Sequence, residues 1–285
     1  MKQLIKWMIL ASIVLASFVA LTFSKKNPCP IIYISQTIEH PALNRTVKGI
    51  RDVLYQKGFE VQVESAQANP ALASQIASKF MAQNPKIVVG IGTISAQSFI
   101  KYALQNKVKL IFSSVTDPKN SLPVSANIGG VSNFIPLEPQ LALFKSLQPN
   151  LKRLGILYNS GEANSVSIVK KLKNICEKYN LILIEQTIAK TSDVAQSVVQ
   201  LMKRCDAIFI SNDNTVLSAI KTITKVSNIP VYVSDTDTVK LGAKAALGPD
   251  QYEVGKQTGK MILRVLQGNS LTTEYPKKVI KVVRS

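Results

Sequence analysis

The chain has 285 residues, 46% of them hydrophobic and 18% charged, which fits a packed globular protein and excludes a disordered one. The length suits two lobes of about 100–130 residues each. The formal net charge is +18, but the lysines are scattered along the chain and are not interleaved with aromatic residues, so nucleic-acid binding is not expected.

An uncharged apolar segment, residues 7–23, opens the chain, with Lys2 and Lys6 before it and Lys25 and Lys26 after it. This order of charges and apolar residues is typical of an export signal, and the segment is also near the lower length limit for a membrane-spanning helix. We therefore assign residues 1–26 to a cleaved signal peptide or an uncleaved anchor. Both alternatives place the rest of the chain outside the cytoplasm, in the periplasm.

The rest of the chain contains an internal repeat with an offset of about 120 residues. Four short apolar runs in the first half have counterparts in the second: 31–34 with 154–158, 59–63 with 181–185, 87–93 with 207–213, and 110–113 with 231–234. Amphipathic helical patterns separate the runs, and this alternation predicts parallel sheets. The predicted fold class is α/β, with two doubly wound, Rossmann-like lobes.

The C-terminal tail predicts a helix over 252–267 and a final strand over 279–283. Such a tail can cross between the lobes and build a multi-strand hinge. The predicted N-terminal lobe comprises residues 29–136 and 250–268, and the predicted C-terminal lobe comprises residues 137–249 and 269–285.

Polar residues follow nearly every predicted strand, and ligands of open parallel sheets bind beyond the carboxyl ends of the strands. The same residue types also cap helices, so a purely structural role is the alternative at each position, and both roles can coexist. The predicted ligand-binding residues are Gln36, Glu39, Thr93, Ser95, Thr116 and Asp117 in the first half, and Tyr158, Asn159, Glu162, Asn164, Ser165, Asp213, Asn214 and Asp235 in the second.

Rare residue types limit the chemistry. His40 is the only histidine, which excludes a multi-histidine metal site, and Glu39-His40-Pro41 is interpreted as a turn before a helix. Gly90-Ile91-Gly92 lacks the third glycine of a dinucleotide loop. We therefore expect no metal, no cofactor and no enzymatic activity. A disulfide between Cys176 and Cys205 stays open at this stage.

With these residues assembled, the chain resembles the ABC transporter substrate-binding protein family, whose characterised members bind aromatic amino acids, notably tryptophan. The resemblance covers about residues 30–270 and rests on stretches at 39–43, 92–97, 116–118, 157–165, 211–216 and 248–255. It implies a type I periplasmic binding fold whose cleft is lined by the loops around Thr93, Thr116, Asn159, Asn164, Asp213 and Asp235. Ser211-Asn212 and the segment 120–127 depart from the family's pattern and leave the ligand's identity open.

The resemblance implies a monomeric, extracytoplasmic component that delivers a small molecule, in this case an aromatic amino acid, to an ABC permease. Thr93, Ser95 and Thr116 would then take the ligand carboxylate, and Asp213 or Asp235 its ammonium, with Tyr158 against the side chain. Two other functions remain open. One is a ligand-sensing subunit for a signalling partner, and the other is an enzyme on the same fold.

Overall fold

The structure, a computed structural model, describes residues 29–284. The predicted signal or anchor segment, residues 1–26, lies outside this range. Within the described range, none of the helices combines the length and the apolar character needed to cross a bilayer.

The first half of the chain forms a sheet of five parallel strands, which a short strand from the tail extends. The strands are β1 (Ile31–Gln36), β2 (Glu60–Ser65), β3 (Ile87–Ile91), β4 (Lys109–Val115), β5 (Ile128–Ser132) and β11 (Thr273–Glu274). The helices of this lobe are α1 (Pro41–Tyr55), α2 (Pro70–Met81), α3 (Thr93–Ser98), α4 (Ile100–Leu104), α5 (Pro118–Ser121) and, from the tail, α11 (Gln251–Leu266).

The second half forms an equivalent sheet, in which only the last strand is antiparallel. Its strands are β6 (Arg153–Asn159), β7 (Ile182–Ile188), β8 (Ala207–Ile210), β9 (Val231–Val233), β10 (Ala245–Pro249) and β12 (Val279–Val283). Its helices are α6 (Leu137–Leu147), α7 (Ala163–Lys178), α8 (Val194–Met202), α9 (Asn214–Leu217) and α10 (Ile220–Val226), with 3₁₀ turns at Thr191–Asp193 and Thr236–Leu241.

The two sheets have the same strand order, although β11 is parallel to its neighbour and β12 is antiparallel. The first has the strand order β11-β5-β4-β3-β1-β2 and the second β12-β10-β9-β8-β6-β7, so each half-chain repeats one pattern. Alternate residues of a strand pack on opposite faces, as Val88 and Val89 do, and each sheet is therefore covered on both sides. The predicted α/β fold with two doubly wound lobes is confirmed.

The C-terminal tail contributes a strand to each sheet, which differs from the predicted division of the chain into lobes. Residues 269–285 were assigned to the second lobe, but β11 pairs with β5 of the first sheet, and only β12 joins the second. The tail can approach β5 because Gly129 has no side chain: a Cβ there would lie 2.8 Å from the Thr272 carbonyl oxygen. The chain thus passes between the sheets after β5, after β10 and after β11, which gives a hinge of three segments.

Cys176 and Cys205 are buried thiols in two different core clusters of the second lobe, and neither forms a disulfide within the described residues. Burial raises the pKa of each thiol to about 11, so both are protonated and unreactive at neutral pH. The disulfide that the sequence left open is therefore absent from this part of the chain.

Candidate functional site

A cavity of about 490 Å³, including the part open to solvent, lies between the carboxyl ends of the two sheets. The first lobe contributes Ile38, His40, Ala42, Leu43, Gly92, Thr93, Ser114, Thr116 and Asn133, the second contributes Asn164, Asn212, Asn214, Leu217 and Asp235, and the hinge contributes Gln251.

Four buried polar atoms of the cavity lining have no hydrogen-bond partner among residues 29–284. They are Asn133 Oδ1, Asn164 Oδ1, Asp235 Oδ2 and His40 Nε2. Buried polar atoms in proteins are nearly always paired, because an unpaired one costs about 1–3 kcal/mol. Four of them around one cavity indicate a site built to bind a polar ligand.

The Asn164 carboxamide is held in one orientation at the start of α7. Its Nδ2 donates to the carbonyl oxygen of Asn212 at 2.8 Å and to Glu162 Oε2 at 3.3 Å. Its Oδ1 is therefore left as an acceptor in the cavity wall. The α7 segment supplies this group because Asn164 is the second helical residue, next to the cleft end of β6.

Asp235 follows β9 and caps the 3₁₀ turn Thr236–Leu241. Its Oδ1 accepts a hydrogen bond from the Asp237 amide at 2.9 Å, whereas Oδ2 is unpaired. Burial, with a further contribution from the Asp237 carboxylate, raises the pKa of Asp235 to about 7, and Arg45 and Lys240 oppose this only in part. A cationic partner in the cavity would reverse that effect, because an opposite charge favours the ionised carboxylate.

His40 lies opposite Asp235, with its Nδ1 3.4 Å from Asp235 Oδ2. The same Nδ1 accepts from the Ala42 amide and so caps α1. Burial lowers the pKa of His40 against the opposing effect of Asp237, so the ring is neutral at pH 7 and its proton is on Nε2. The sequence predicts only a turn at His40, but the side chain also presents a donor to the cavity.

Ser114 holds a left-handed backbone conformation, φ 54°, at an irregularity in the pairing of β4 with β5. Such a conformation costs about 1–3 kcal/mol in a non-glycine residue and persists only where neighbours enforce it. Here the Ser114 hydroxyl donates to Gln251 Oε1 at 2.8 Å and contacts the Thr46 hydroxyl at 3.2 Å. Neither Ser114 nor Gln251 was predicted as a ligand-binding residue, because the hydrogen bond between them joins residues that are 137 positions apart in the chain.

Five of the predicted ligand-binding residues line the cavity: Thr93, Thr116, Asn164, Asn214 and Asp235. Four others form a hydrogen-bond network behind its second-lobe wall: Asn159, Glu162, Ser165 and Asp213. The remaining five lie elsewhere and line no part of this cavity: Gln36, Glu39, Ser95, Asp117 and Tyr158.

The network behind the wall is centred on Asp213. Its Oδ2 accepts from the Asn159 amide at 2.7 Å and from the Ser165 hydroxyl at 2.6 Å, and its Oδ1 accepts from the Val216 amide at 2.8 Å. Burial, reinforced by the charge of Glu162, raises the pKa of Asp213. Both Asp213 oxygens are thus occupied, and the residue positions the wall.

Glu162 stabilises the start of α9, where it accepts hydrogen bonds from the amides of Asn214 and Thr215 at 3.0 and 2.9 Å. The Glu162 carboxylate thereby fixes Asn214, which lines the cavity. This is the capping role that the sequence analysis kept as the alternative to ligand contact.

The five residues away from the cavity have other partners. Gln36 Nε2 donates to the Ile38 carbonyl and to Asn44, each at 2.7 Å, and Glu39 is exposed. Ser95 accepts from Ser35 at 3.0 Å, the Tyr158 hydroxyl donates to Glu185 at 3.1 Å, and Asp117 accepts from Lys171 of α7 at 2.7 Å. Within residues 29–284 there is also no cluster of three or more His, Cys, Asp or Glu side chains that could hold a metal.

Comparisons with known proteins agree with this architecture. A family model described as ABC transporter substrate binding protein matches residues 31–283. A tyrosine-binding protein of Clostridioides difficile is 31% identical over 255 residues, which are 84% of this chain and 73% of that protein.

Solved structures show the same fold. A conserved domain protein from Vibrio cholerae is 35% identical with a TM-score of 0.83, and the match covers 90% of this chain and 92% of that one. An ABC domain from Streptococcus pneumonia in complex with L-Trp is 30% identical with a TM-score of 0.81, and the match covers 89% of this chain and 92% of that one. The ligand-free, open structure of CD0873, a substrate-binding protein with adhesive properties from Clostridium difficile, is 27% identical with a TM-score of 0.67. The match covers 90% of this chain and 92% of that one.

The fold is that of the type I periplasmic binding proteins, with two lobes around a cleft. The family model matches nearly all of the described residues, and the relatives are similar over most of their own length. The chain therefore belongs to the ABC transporter substrate-binding protein family, whose members are extracytoplasmic.

Proposed function

We propose that this chain is the extracytoplasmic substrate-binding component of an ABC importer and that it binds a free amino acid with an aromatic side chain in the cavity between its lobes. The proposal includes a monomer that docks on a permease, and either cleavage of residues 1–26 or retention at the inner membrane through residues 7–23. It rests on one observation above all: three unpaired acceptor oxygens, on Asn133, Asn164 and Asp235, surround the same cavity.

These three oxygens suit an ammonium group. An ammonium has three N–H donors and no acceptor, and one of its three partners here is a carboxylate. Asp235 is the better candidate of the two carboxyls predicted for this role, because its Oδ2 is unpaired in the cavity wall, whereas both oxygens of Asp213 already accept hydrogen bonds.

The ligand carboxylate has donors in the first lobe. The hydroxyls of Thr93 and Thr116 line the cavity, and the neutral His40 presents Nε2–H. Ser95, which was predicted with them, instead accepts a hydrogen bond from Ser35 and is fully buried within α3.

The apolar part of the lining comes from both lobes, through Ile38, Ala42, Leu43 and Leu217. Burying an aromatic ring of ~200 Å² at ~25 cal/mol/Å² contributes roughly 5 kcal/mol. Micromolar affinity corresponds to about 8 kcal/mol, so a ring and a few charge-assisted hydrogen bonds are sufficient before ordering costs.

Two relatives support the aromatic side chain. The Clostridioides difficile protein is named for binding tyrosine, and the Streptococcus structure contains L-Trp. The present chain also superposes better on that complex than on the ligand-free, open structure, with TM-scores of 0.81 and 0.67, although the identities, 30% and 27%, are similar. This difference supports a closed arrangement of the lobes here.

A thermal-shift screen of the protein starting at Lys25 tests the proposal, with the twenty amino acids, nucleosides, sugars and vitamins as the panel. A ligand at 100 times its dissociation constant stabilises by about 2.7 kcal/mol, which shifts the midpoint by several degrees. We expect shifts with tyrosine, tryptophan or phenylalanine. A shift confined to sugars or nucleosides would contradict the proposal.

A further inference from the structure

Asp117 joins the two lobes. It follows β4 of the first lobe, yet it accepts hydrogen bonds from the hydroxyl of Ser167 and from Lys171 Nζ at 2.7 Å, both on α7 of the second lobe. Asn120, from its own lobe, donates to the same carboxylate at 2.8 Å. The Asp117 side chain is 5% exposed, and that of Lys171 is 35% exposed.

The position of Asp117 in its own lobe makes these partners unusual. It is the N-cap residue of α5, where an aspartate normally accepts from the amides of the first turn, but here it accepts from none of the amides of the described helix. Its Oδ2 instead accepts from Ser167 and Lys171 of α7, across the cleft. The side chain therefore contributes to lobe–lobe contact in place of local helix capping.

The charge of Asp117 is maintained despite its burial. Burial by itself would raise the pKa of Asp117, but hydrogen bonds from Lys171, Ser167 and Asn120 outweigh it and hold the pKa at about 2. Lys171 also lies over the ring of Phe134, 4.7 Å from its centroid, in the first segment that crosses between the lobes. The Asp117 carboxylate is thus ionised over the whole neutral pH range.

These contacts depend on the arrangement of the lobes. Asp117 belongs to the first lobe and α7 to the second, so any separation of the two lobes at this point must break the bonds from Ser167 and Lys171. Asp117 lies outside the cavity, but the preceding residue, Thr116, lines it. A contact made in one conformation alone shifts the equilibrium towards that conformation by its full free energy.

We propose that Asp117, Ser167 and Lys171 form an interlobe latch, which stabilises the closed lobes and slows ligand release without touching the ligand. Asp117, which the sequence predicted as a ligand contact, is by this inference a positioning residue.

The test compares two identical substitutions on one helix. Lys171→Met removes the cation of the latch, whereas Lys173→Met removes a cation that pairs with Glu185 inside the second lobe at 2.8 Å. We expect Lys171→Met to raise the dissociation constant of L-tyrosine or L-tryptophan about tenfold, mostly through a faster off-rate. Lys173→Met should leave the dissociation constant and the off-rate unchanged, and Lys171→Arg should retain near-normal binding.

This affinity measurement rests on the proposed function, so a second measurement uses the protein without ligand. Small-angle X-ray scattering should give a larger radius of gyration for Lys171→Met than for the wild type and for Lys173→Met, because the latch no longer favours the closed lobes. Equal radii for the two variants would overturn the latch whatever the ligand is. Unequal radii in a protein that binds no amino acid would support the latch and contradict the proposed function alone.

Discussion

Asp213 and Asp235 show how two residues with the same sequence context acquire different roles. Each follows a buried strand of the second sheet and each caps the next helical turn. Asp213 has hydrogen bonds to both oxygens, but Asp235 keeps Oδ2 unpaired in the cavity wall. This difference in hydrogen bonding depends on neighbours that are distant in sequence, such as Ser165, and on the first lobe.

Replacing Asp235 by Asn tests its role in binding. The substitution keeps the shape of the side chain but removes the charge that we propose faces the ligand ammonium. Truncating one partner of a buried charge pair costs about 2–5 kcal/mol, so we expect affinity for the amino acid to fall at least about 30-fold in isothermal titration calorimetry. Glu39→Gln is the matched control, because the Glu39 side chain is exposed although its neighbours Ile38 and His40 line the cavity. A larger loss of affinity in Glu39→Gln than in Asp235→Asn would contradict the proposed binding role of Asp235.

The same substitution should stabilise the ligand-free protein, in a pH-dependent way. The pKa of Asp235 is raised to about 7 in the folded state, from an ordinary value of about 3.9, so the folded protein holds an extra proton between these pH values. Its stability therefore falls as pH rises from about 4 to 7, and the loss then stays constant.

Asn cannot lose a proton, so Asp235→Asn should raise the free energy of unfolding by about 1–3 kcal/mol at pH 7.5 and by little at pH 4.5. Urea unfolding of the ligand-free protein at the two pH values measures this. An equal gain in the free energy of unfolding at both pH values would show that burial of the Asp235 charge is not the cause of the stabilisation.

At this scale the sequence identified the kinds of residue better than their positions. Hydroxyl, amide and carboxyl side chains do gather at the carboxyl ends of the strands, and Thr93, Thr116, Asn164, Asn214 and Asp235 line one cavity. Asp117 is an aspartate that follows a strand, as Asp235 does, but its hydrogen-bond partners lie on α7 of the other lobe. No local pattern contains that information.

Among the elements, the pairing of α1 with α11 fixes the tail to the first lobe. The two helices approach backbone to backbone at Gly49 and Gly255: a Cβ on Gly49 would lie 2.2 Å from the Tyr252 carbonyl oxygen, and one on Gly255 would lie 2.1 Å from that of Thr46. Neither backbone can move aside without shifting a whole helix. This contact also brings Gln251 against Ser114 at the cavity.

Gly255→Ala should therefore be strongly destabilising. Overpacking in a rigid contact costs about 1–3 kcal/mol and occasionally more, and we expect the upper end, a fall of roughly 5–10 °C in the thermal midpoint. Gly161→Ala is the control, since a Cβ there would lie 3.2 Å from a single side-chain atom, Oδ1 of Asn159. Equal midpoints for the two variants would contradict the close helix approach.

The elements were predicted well where their apolar period was long. The repeat placed the first four strands of each sheet, and the tail helix and last strand were found near their observed bounds, but β5 and β10 were not predicted. The two-residue strand β11 was not found, because it has no period of its own and its place is set by Gly129 and Gly130 of a distant strand. Its omission is the reason that the tail was divided differently.

Residues 29–284 form two lobes with the same strand order, joined by three crossing segments. Besides the latch, a second ion pair joins the lobes at another point: Arg45 of α1 contacts Asp237 of the second lobe at 2.9 Å. Arg45 also contacts Asp250, the cap of α11, at 2.8 Å. If the lobes close as rigid bodies, both pairs form in the same step.

Rigid-body closure predicts that the two pairs contribute independently to affinity. Distant sites without shared partners are additive in free energy, so the fold-changes in dissociation constant for Arg45→Met and Lys171→Met should multiply in the double variant, within a factor of about two. The Arg45 pair is more exposed, and we expect only about a two- to fivefold effect from it alone. Lys48→Met, which removes a cation paired within α1 to Asp52, is the control and should change nothing. A double variant no weaker than Lys171→Met alone would mean that one pair forms only after the other, so that the cleft closes in stages and not as a single hinge movement.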